Sequence, residues 1–230
     1  WIRRLISENS LSVNDLILPI FIREGKNIVE EIKTMSGVYR YSIDKLDVIM
    51  NKAVNLGIPL VALFPYTPNK KKNSKGSEAF NENNLICKGL RVIKKKYKNI
   101  GIMTDVALDP YTISGHDGLV INNKIDNDKT IEALIKQSLL QVEMGSDIIA
   151  PSDMMDGRIG LIRKALEKNN FKDTMILSYA VKYASNFYGP FRDAVGSKKN
   201  LKGNKKTYQM NFHNSIEAFR EVSLDIKEGA

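Results

Sequence analysis

Lys182 has the surroundings that most suggest chemistry. It lies in residues 174–197, TMILSYAVKYASNFYGPFRDAVGS, which opens as a strand and runs into a loop rich in glycine, proline and aromatics. Alternation with a period of two puts Ser178, Ala180, Lys182 and Ala184 on one face, and Tyr179, Val181 and Tyr183 on the other. Small neighbours on its own face leave the amine room. That is the setting of a Schiff-base nucleophile, which must be close to a carbonyl and partly desolvated. A strand-end lysine with its amine in water fits the same stretch taken alone; the rest of the chain favours the nucleophile.

A second group of residues lies in MTDVALDPYTISGHDG, where Asp105, Ala107 and Asp109 share one strand face. Two carboxylates two residues apart on an inward face are costly unless they meet cations, a metal or substrate. A pair bridged by an arginine at a wet strand end is the structural alternative. Asp117, in the loop beyond, can reach the same mouth. His116 is one of two histidines, and alone it reads as a loop residue rather than a ligand. The loop after Lys182 adds Arg192, Lys205, Lys206 and Tyr208-Gln209. Arginine offers a fork that suits a carboxylate, and glutamine an amide that can orient one.

Alternating elements position these residues. Strands are expected over 15–22, 58–65, 100–109, 147–152 and 175–185. Helices are expected over 44–56 with Ser42 as N-cap, over 84–97, from an Asp128 cap to Gly145, over 158–168 and over 215–228. Residues 1–14 read as an arm. Five strand–helix alternations within one domain over 1–230 imply α/β units around a parallel sheet. The long segments 66–82, 110–127 and 186–212 all follow strand C-terminal ends, as the site loops of (β/α)8 TIM barrels do. The first of them, polar and lysine-rich, is expected to be mobile. A full barrel needs eight units and about 250 residues. With about five present, the chain reads as a truncated barrel whose first and fifth strands are open, aggregation-prone edges.

Composition narrows the function. The 230 residues are 43% hydrophobic and 27% charged, with one cysteine, Cys87. That leaves no disulfide framework and no thiolate cluster for zinc, and a reducing, cytoplasmic setting fits best. No run suits a membrane span or a signal peptide. The net charge of +9 comes from short lysine runs at 70–72, 94–96, 198–199 and 205–206. They are scattered and lack interleaved aromatics, so they read as solvated surface rather than a nucleic-acid footprint.

SYAVKYASNFYGPFRDAVGS, DVALDPYTISGHDG, APSDMMDGRIG and KKTYQM resemble the porphobilinogen synthase family, also called 5-aminolevulinate dehydratase. DLILPIFIREG and GVYRYSID extend the resemblance over essentially the whole chain. The resemblance implies a (β/α)8 barrel, homo-octameric in the full-length family, that condenses two 5-aminolevulinate molecules to porphobilinogen in heme synthesis. Lys182 matches the first of two Schiff-base lysines; the second lies in a motif of the form MVKPG, on the sixth strand. Arg192, Lys205 and Gln209 match positions that bind substrate carboxylate, with Lys205 often arginine. Asp105, Asp109 and Asp117 fall at the same mouth, and Glu221 in REVSLDI matches an allosteric magnesium ligand. Zinc-dependent members carry cysteines where this chain has Ala107, Asp109 and Asp117, so the resemblance implies Mg2+ and no catalytic zinc. Ile113-Ser114 departs from a hydroxyl residue and a histidine in many relatives.

Two rivals fit part of this pattern: another Schiff-base barrel of the class I aldolase kind, and a non-catalytic assembly module of the same fold. Residues 1–230 alone are expected to be inactive, because the second lysine lies outside them.

Overall fold

The first strand shows why the sheet is two-faced. In β1 (Ile17–Arg23) Ile20 and Ile22 point to covering helices, while Phe21 points to the other side. The computed structural model describes residues 1–197 and 200–230; the lysine run at Lys198 and Lys199 lies outside the described residues. After the arm helix α1 (Ile2–Leu5) and β1 come β2 (Val29–Glu31), β3 (Tyr39–Ser42), α2 (Leu46–Asn55) and β4 (Leu60–Tyr66). Then follow α3 (Leu85–Lys96), β5 (Gly101–Val106), a small hairpin of β6 (Leu119–Ile121) and β7 (Lys124–Asp126), and α4 (Asn127–Glu143). The chain closes with β8 (Ile148–Pro151), α5 (Arg158–Lys168), β9 (Met175–Ile176), α6 (Gly189–Ala194) and α7 (Ser215–Glu228).

One seven-stranded sheet runs β2-β3-β1-β4-β5-β8-β9. From β3 to β9 every pairing is parallel, and only β2 with β3 is antiparallel. This is an arc of a (β/α) barrel. Outward residues Ile20, Ile22, Val61, Leu63 and Ile102 pack on α2 and α3, with Met50, Leu90 and Ile93. Val106 and Ile149 pack on α4 and α5, with Leu134, Ile159 and Ile162. Inward residues are Phe21, Ala62, Phe64, Met103 and Ala150, small or aromatic except for Met103.

Several expectations need correction. The fifth strand is two residues long, not eleven. Its ladder continues only through the Leu177 and Tyr179 amides, bonded to Ile149 and Pro151 carbonyls. The regular alternation therefore lapses. Leu177, Tyr179 and Lys182 face inward, whereas Ser178 faces outward to Asp225, so Ser178 and Lys182 do not share a face. The third strand stops at Val106, and residues 107–109 enter the loop. The first strand is not a bare edge: β3 pairs with Phe21–Arg23, and only its N-terminal half is open. Asp126, not Asp128, caps α4, its side chain accepting from the Lys129 amide at 2.8 Å. Ser42 bonds the Ile28 amide instead of capping a helix.

The 66–82 segment is not a solvated flap. Asn73 exchanges backbone bonds with Tyr111 and Ile113, and Lys72 is buried. Asn84 joins this segment to α3, accepting from the Cys87 amide at 2.8 Å and donating to the Glu78 carbonyl at 3.1 Å. Asn84→Ala should lower stability by about 1–2 kcal/mol, because a cap and a buried acceptor's partner are lost together. Urea unfolding checks this, and an unchanged midpoint would show that the cap carries no weight.

Candidate active site

The strands deliver their C-terminal ends to one side of the arc, and there a cavity of about 560 Å³ opens. Its wall contains Asp105, Asp109, Asp117, Lys182, Arg192, Lys205 and Gln209, seven residues singled out from sequence. Phe21, Phe64, Phe191, Tyr179 and Tyr188 supply its apolar part.

Each polar group is held by identifiable bonds. Asp105 points inward from β5, next to outward Thr104, which bonds Gln141 at 2.9 Å and Ser146 at 2.8 Å. The ladder of β5 ends at Thr104 on the β4 side and at Val106 on the β8 side, and α4 then replaces it. Gln141 donates to the Asp105 carbonyl at 3.1 Å, and Gln137 to the Ala107 carbonyl at 3.3 Å. The Leu108 amide bonds the Asp117 carbonyl at 3.0 Å, closing the turn that brings Asp109 beside Asp117. Gly115 then lets loop 110–127 meet loop 186–212: with φ of +69°, a Cβ there would lie 2.7 Å from the Leu201 backbone nitrogen. His116 ties the same loops. Its Nε2 donates to the Lys202 carbonyl at 2.8 Å, which leaves Nδ1 to accept from the Tyr208 hydroxyl at 2.9 Å in the neutral ring. The Tyr208 oxygen accepts from the Asp117 amide at 3.3 Å. His116 is thus a loop tie rather than a ligand.

Charge is concentrated at the centre. Lys182 is 9% exposed, and its amine donates to the Ser152 carbonyl at 2.5 Å and lies 4.0 Å from Asp117. Lys205 bonds Asp117 at 2.9 Å and approaches Asp109 at 3.7 Å. Burial pushes the Asp105 carboxyl up to about 7, against the pull of Lys182 and Ser152. Burial likewise raises Asp109, with Lys205 opposing and Asp117 adding to it. Asp117 goes the other way: burial works against its charge, but Lys182 and Lys205 together outweigh it. Burial also opposes the charge of Lys205, and Asp109 with Asp117 more than offsets it. The result is a buried pair pushed apart, Asp109 upward and Asp117 downward, with Asp117 between two amines.

Arg192 makes no ion pair among the described residues; its guanidinium and the Lys182 amine flank the Tyr188 ring at 5.9 and 5.8 Å. Lys205, in contrast, is already committed to carboxylates. Sequence reasoning missed Ser152, Tyr188, Gln137 and Gln141. Polar residues within the helical stretch that covers the third strand were the available signal for the two glutamines.

Glu221 lies outside this cavity, in a groove with Asp156, Glu217 and Asp225. Burial and then these carboxylates raise its pKa. Among the described residues no three metal-ligating side chains converge. The donors are all carboxylate oxygens, a chemistry that suits a hard, water-retaining cation.

The family model for delta-aminolevulinic acid dehydratase matches residues 1–230. The chain is 53% identical to the delta-aminolevulinic acid dehydratase of Bradyrhizobium diazoefficiens, with 100% of this chain and 65% of that protein covered. It is 45% identical to the enzyme of the same name from Chlamydia pneumoniae, covering 100% and 69%. Its fold superimposes with a TM-score of 0.97, at 40% identity, on porphobilinogen synthase from Toxoplasma gondii in complex with the product porphobilinogen, covering 100% and 65%. The chain thus spans about two thirds of the length of the relatives it matches.

The raised Asp105 carboxyl has a consequence for stability. Unfolded, it ionises near pH 4, and folded only near 7, so the folded state loses stability as pH rises across that window. Asp105→Asn should remove that loss, by at most on the order of 4 kcal/mol above pH 7, since the carboxyl opens on the cavity. Below about pH 4 the variant should match the parent. Chemical denaturation across pH checks this; a variant advantage that does not grow with pH would contradict the buried carboxyl's role.

Proposed function

The chain belongs to the delta-aminolevulinic acid dehydratase family, and on that premise we propose that the full-length protein condenses two 5-aminolevulinate molecules to porphobilinogen. Lys182 forms the imine with one of them. The observation that carries this reading is the Lys182 amine, buried yet opening on a cavity beside three carboxyl groups and an arginine with no ion pair among the described residues. The product held by the Toxoplasma gondii relative supports a small-molecule substrate of this kind.

The steps follow from the charges. The neutral amine adds to the keto carbon, a proton moves to the oxygen, and the hydroxyl must then leave as water. The Ser152 carbonyl, accepting one N–H at 2.5 Å, orients the amine toward the cavity. Asp109, whose carboxyl burial raises, is assigned as the donor for the departing hydroxyl, and Asp117, whose carboxyl the two amines lower, as the group that stabilises the iminium that results. Arg192 takes the substrate carboxylate with its fork, and Gln209 adds an amide donor. Lys205 acts by fixing the charge of Asp117 rather than as a free cation for substrate.

The family is metal-dependent in general. We assign magnesium to the Glu221 groove, where carboxylate oxygens would hold it through retained waters and its charge would offset their repulsion. Zinc catalysis is not part of this reading: Cys87 is buried on α3, its thiol pushed up to about 11 by burial, and it does not line the cavity. Exposed Trp1, Leu5 and Leu11 on the arm support a homo-oligomer, an octamer in the full-length protein.

Borohydride added with 5-aminolevulinate should leave a stable adduct on the peptide containing Lys182. Adducts found only elsewhere would reject the assignment. Arg192→Ala should raise KM by about 10- to 100-fold, the worth of a charge-assisted pair, while the adduct still forms at saturation. Magnesium should activate the full-length enzyme, and Glu221→Ala should blunt that activation without preventing imine trapping. Activity lost to a zinc-selective chelator and restored only by zinc would sink the metal assignment.

A further inference from the structure

The proposed chemistry leaves Arg40, in the GVYRYSID segment, without a role. It lies on β3, outside the cavity wall, yet is 7% exposed. Its nearest carboxylate, Glu30, is 3.6 Å away and itself well exposed. A buried guanidinium whose counter-ion is exposed and shared with Arg23 is costly unless its other donors are used. They are used on backbone. Nε donates to the Ala194 carbonyl at 2.8 Å and Nη2 to the Asp193 carbonyl at 2.6 Å.

Other groups converge on the same few residues. Lys72, 6% exposed, donates to the Gly196 carbonyl at 3.1 Å. The Thr34 hydroxyl donates to the Asp193 carboxylate at 2.9 Å. The Arg40 guanidinium lies 4.5 Å from the centroid of the Tyr66 ring, and Gly196 presses on that ring so closely that a Cβ would sit 2.6 Å from it. The Asp193 and Ala194 carbonyls end α6 and that of Gly196 follows two residues on, where a helix leaves acceptors short of partners and carries partial negative charge.

At six residues, α6 cannot hold itself together by propensity. It carries Arg192, and it sets Phe191 edge-on to Phe64 at 5.2 Å between centroids. A shift of this helix by a fraction of a turn would carry the Arg192 fork away from the cavity.

We infer that Arg40 is a positioning residue: with Lys72 it clamps the C-terminal carbonyls of α6 and so fixes Arg192 for the substrate carboxylate. This rests on the reading of Arg192 given above. The guanidinium is needed for its two divergent donors, because packing alone would be served by an apolar side chain.

The test uses the full-length protein with Arg40→Met, Arg40→Lys and Arg192→Met, alone and combined. Arg40→Met should raise KM for 5-aminolevulinate about 10-fold and leave kcat within about threefold. Backbone amides of 191–197 should exchange with deuterium faster, and Lys182 should still be trapped by borohydride at saturation. In the Arg192→Met background, Arg40→Met should add no further rise in KM, since its effect passes through Arg192. Arg40→Lys keeps the charge but loses the fork and should fall between the parent and Arg40→Met; if Arg40→Met does not fold, this variant decides. An unchanged KM, or an equal rise in both backgrounds, would overturn the inference. Amide exchange needs no substrate. A parent protein that fails to trap 5-aminolevulinate therefore defeats the functional reading, while unchanged exchange at 191–197 defeats the clamp.

Discussion

The ion pair between Lys205 and Asp117 is the constraint on which the rest of the site depends. Both are buried, and they lie 88 residues apart in sequence. Taking either charge out of water alone would cost several kcal/mol, so neither loop can leave without stranding the other's charge. Asp109 and Lys182 are drawn in by the same logic. One amine faces two carboxylates, burial raises Asp109, and the second amine, Lys182, lies 4.0 Å from Asp117. Two carboxyl groups pushed in opposite directions and two amines thus share one buried corner. One oxygen of Asp117 is left without a partner among the described residues, an acceptor already desolvated.

The long loops follow from that corner. Charges can be held in place only where the backbone around them is also satisfied, and beyond Val106 the sheet no longer does this. Gln137 and Gln141 on α4 take over the Ala107 and Asp105 carbonyls, and Tyr208 takes the Asp117 amide. Loops 66–82, 110–127 and 186–212 therefore close on one another through backbone bonds, at Asn73 with Tyr111 and at Lys202 with Ser114. They are long because each must cross the strand ends and return, and each supplies another's missing partners.

What could be read from sequence divides along the same line. Strands β1, β4 and β8 were legible because continuous apolar runs signal burial on both faces, and the inward carboxylates because charge in such a setting is anomalous. The residues around Lys182 misled for a physical reason. Alternation assumes a paired strand, but this segment is regular strand for two residues, keeps only the Leu177 and Tyr179 amide bonds, and then reaches an isolated bridge at Tyr183, so its faces rotate. Lys72 and Arg40 were also illegible. A lysine in KKK and an arginine on a short strand look solvated until the chain that needs their donors, more than a hundred residues later, folds onto them. Local pattern cannot carry that information. Loop ends that require cations from afar are a tertiary demand.

The same reasoning links the cavity to the groove that contains Glu221. Asp225, one turn along α7 from Glu221, is buried and accepts from the Ser178 hydroxyl at 2.5 Å. Ser178 lies four residues before Lys182, and Arg158 joins the set, donating to Ser178 at 3.1 Å and lying 3.6 Å from Asp225 and 3.4 Å from Asp153. Two acids again face one cation, and again one gives way: burial pushes Asp153 up to about 6 even with Arg158 beside it. Asp153 follows Ser152, whose carbonyl aims the Lys182 amine. Glu221 and Asp225 share one groove, so the wall of that groove and the outward side of the Ser178 segment are one set of bonds. The segment from Leu177 to Lys182 has little ladder of its own, so this outward polar anchor adds to the few bonds that hold it beside β8.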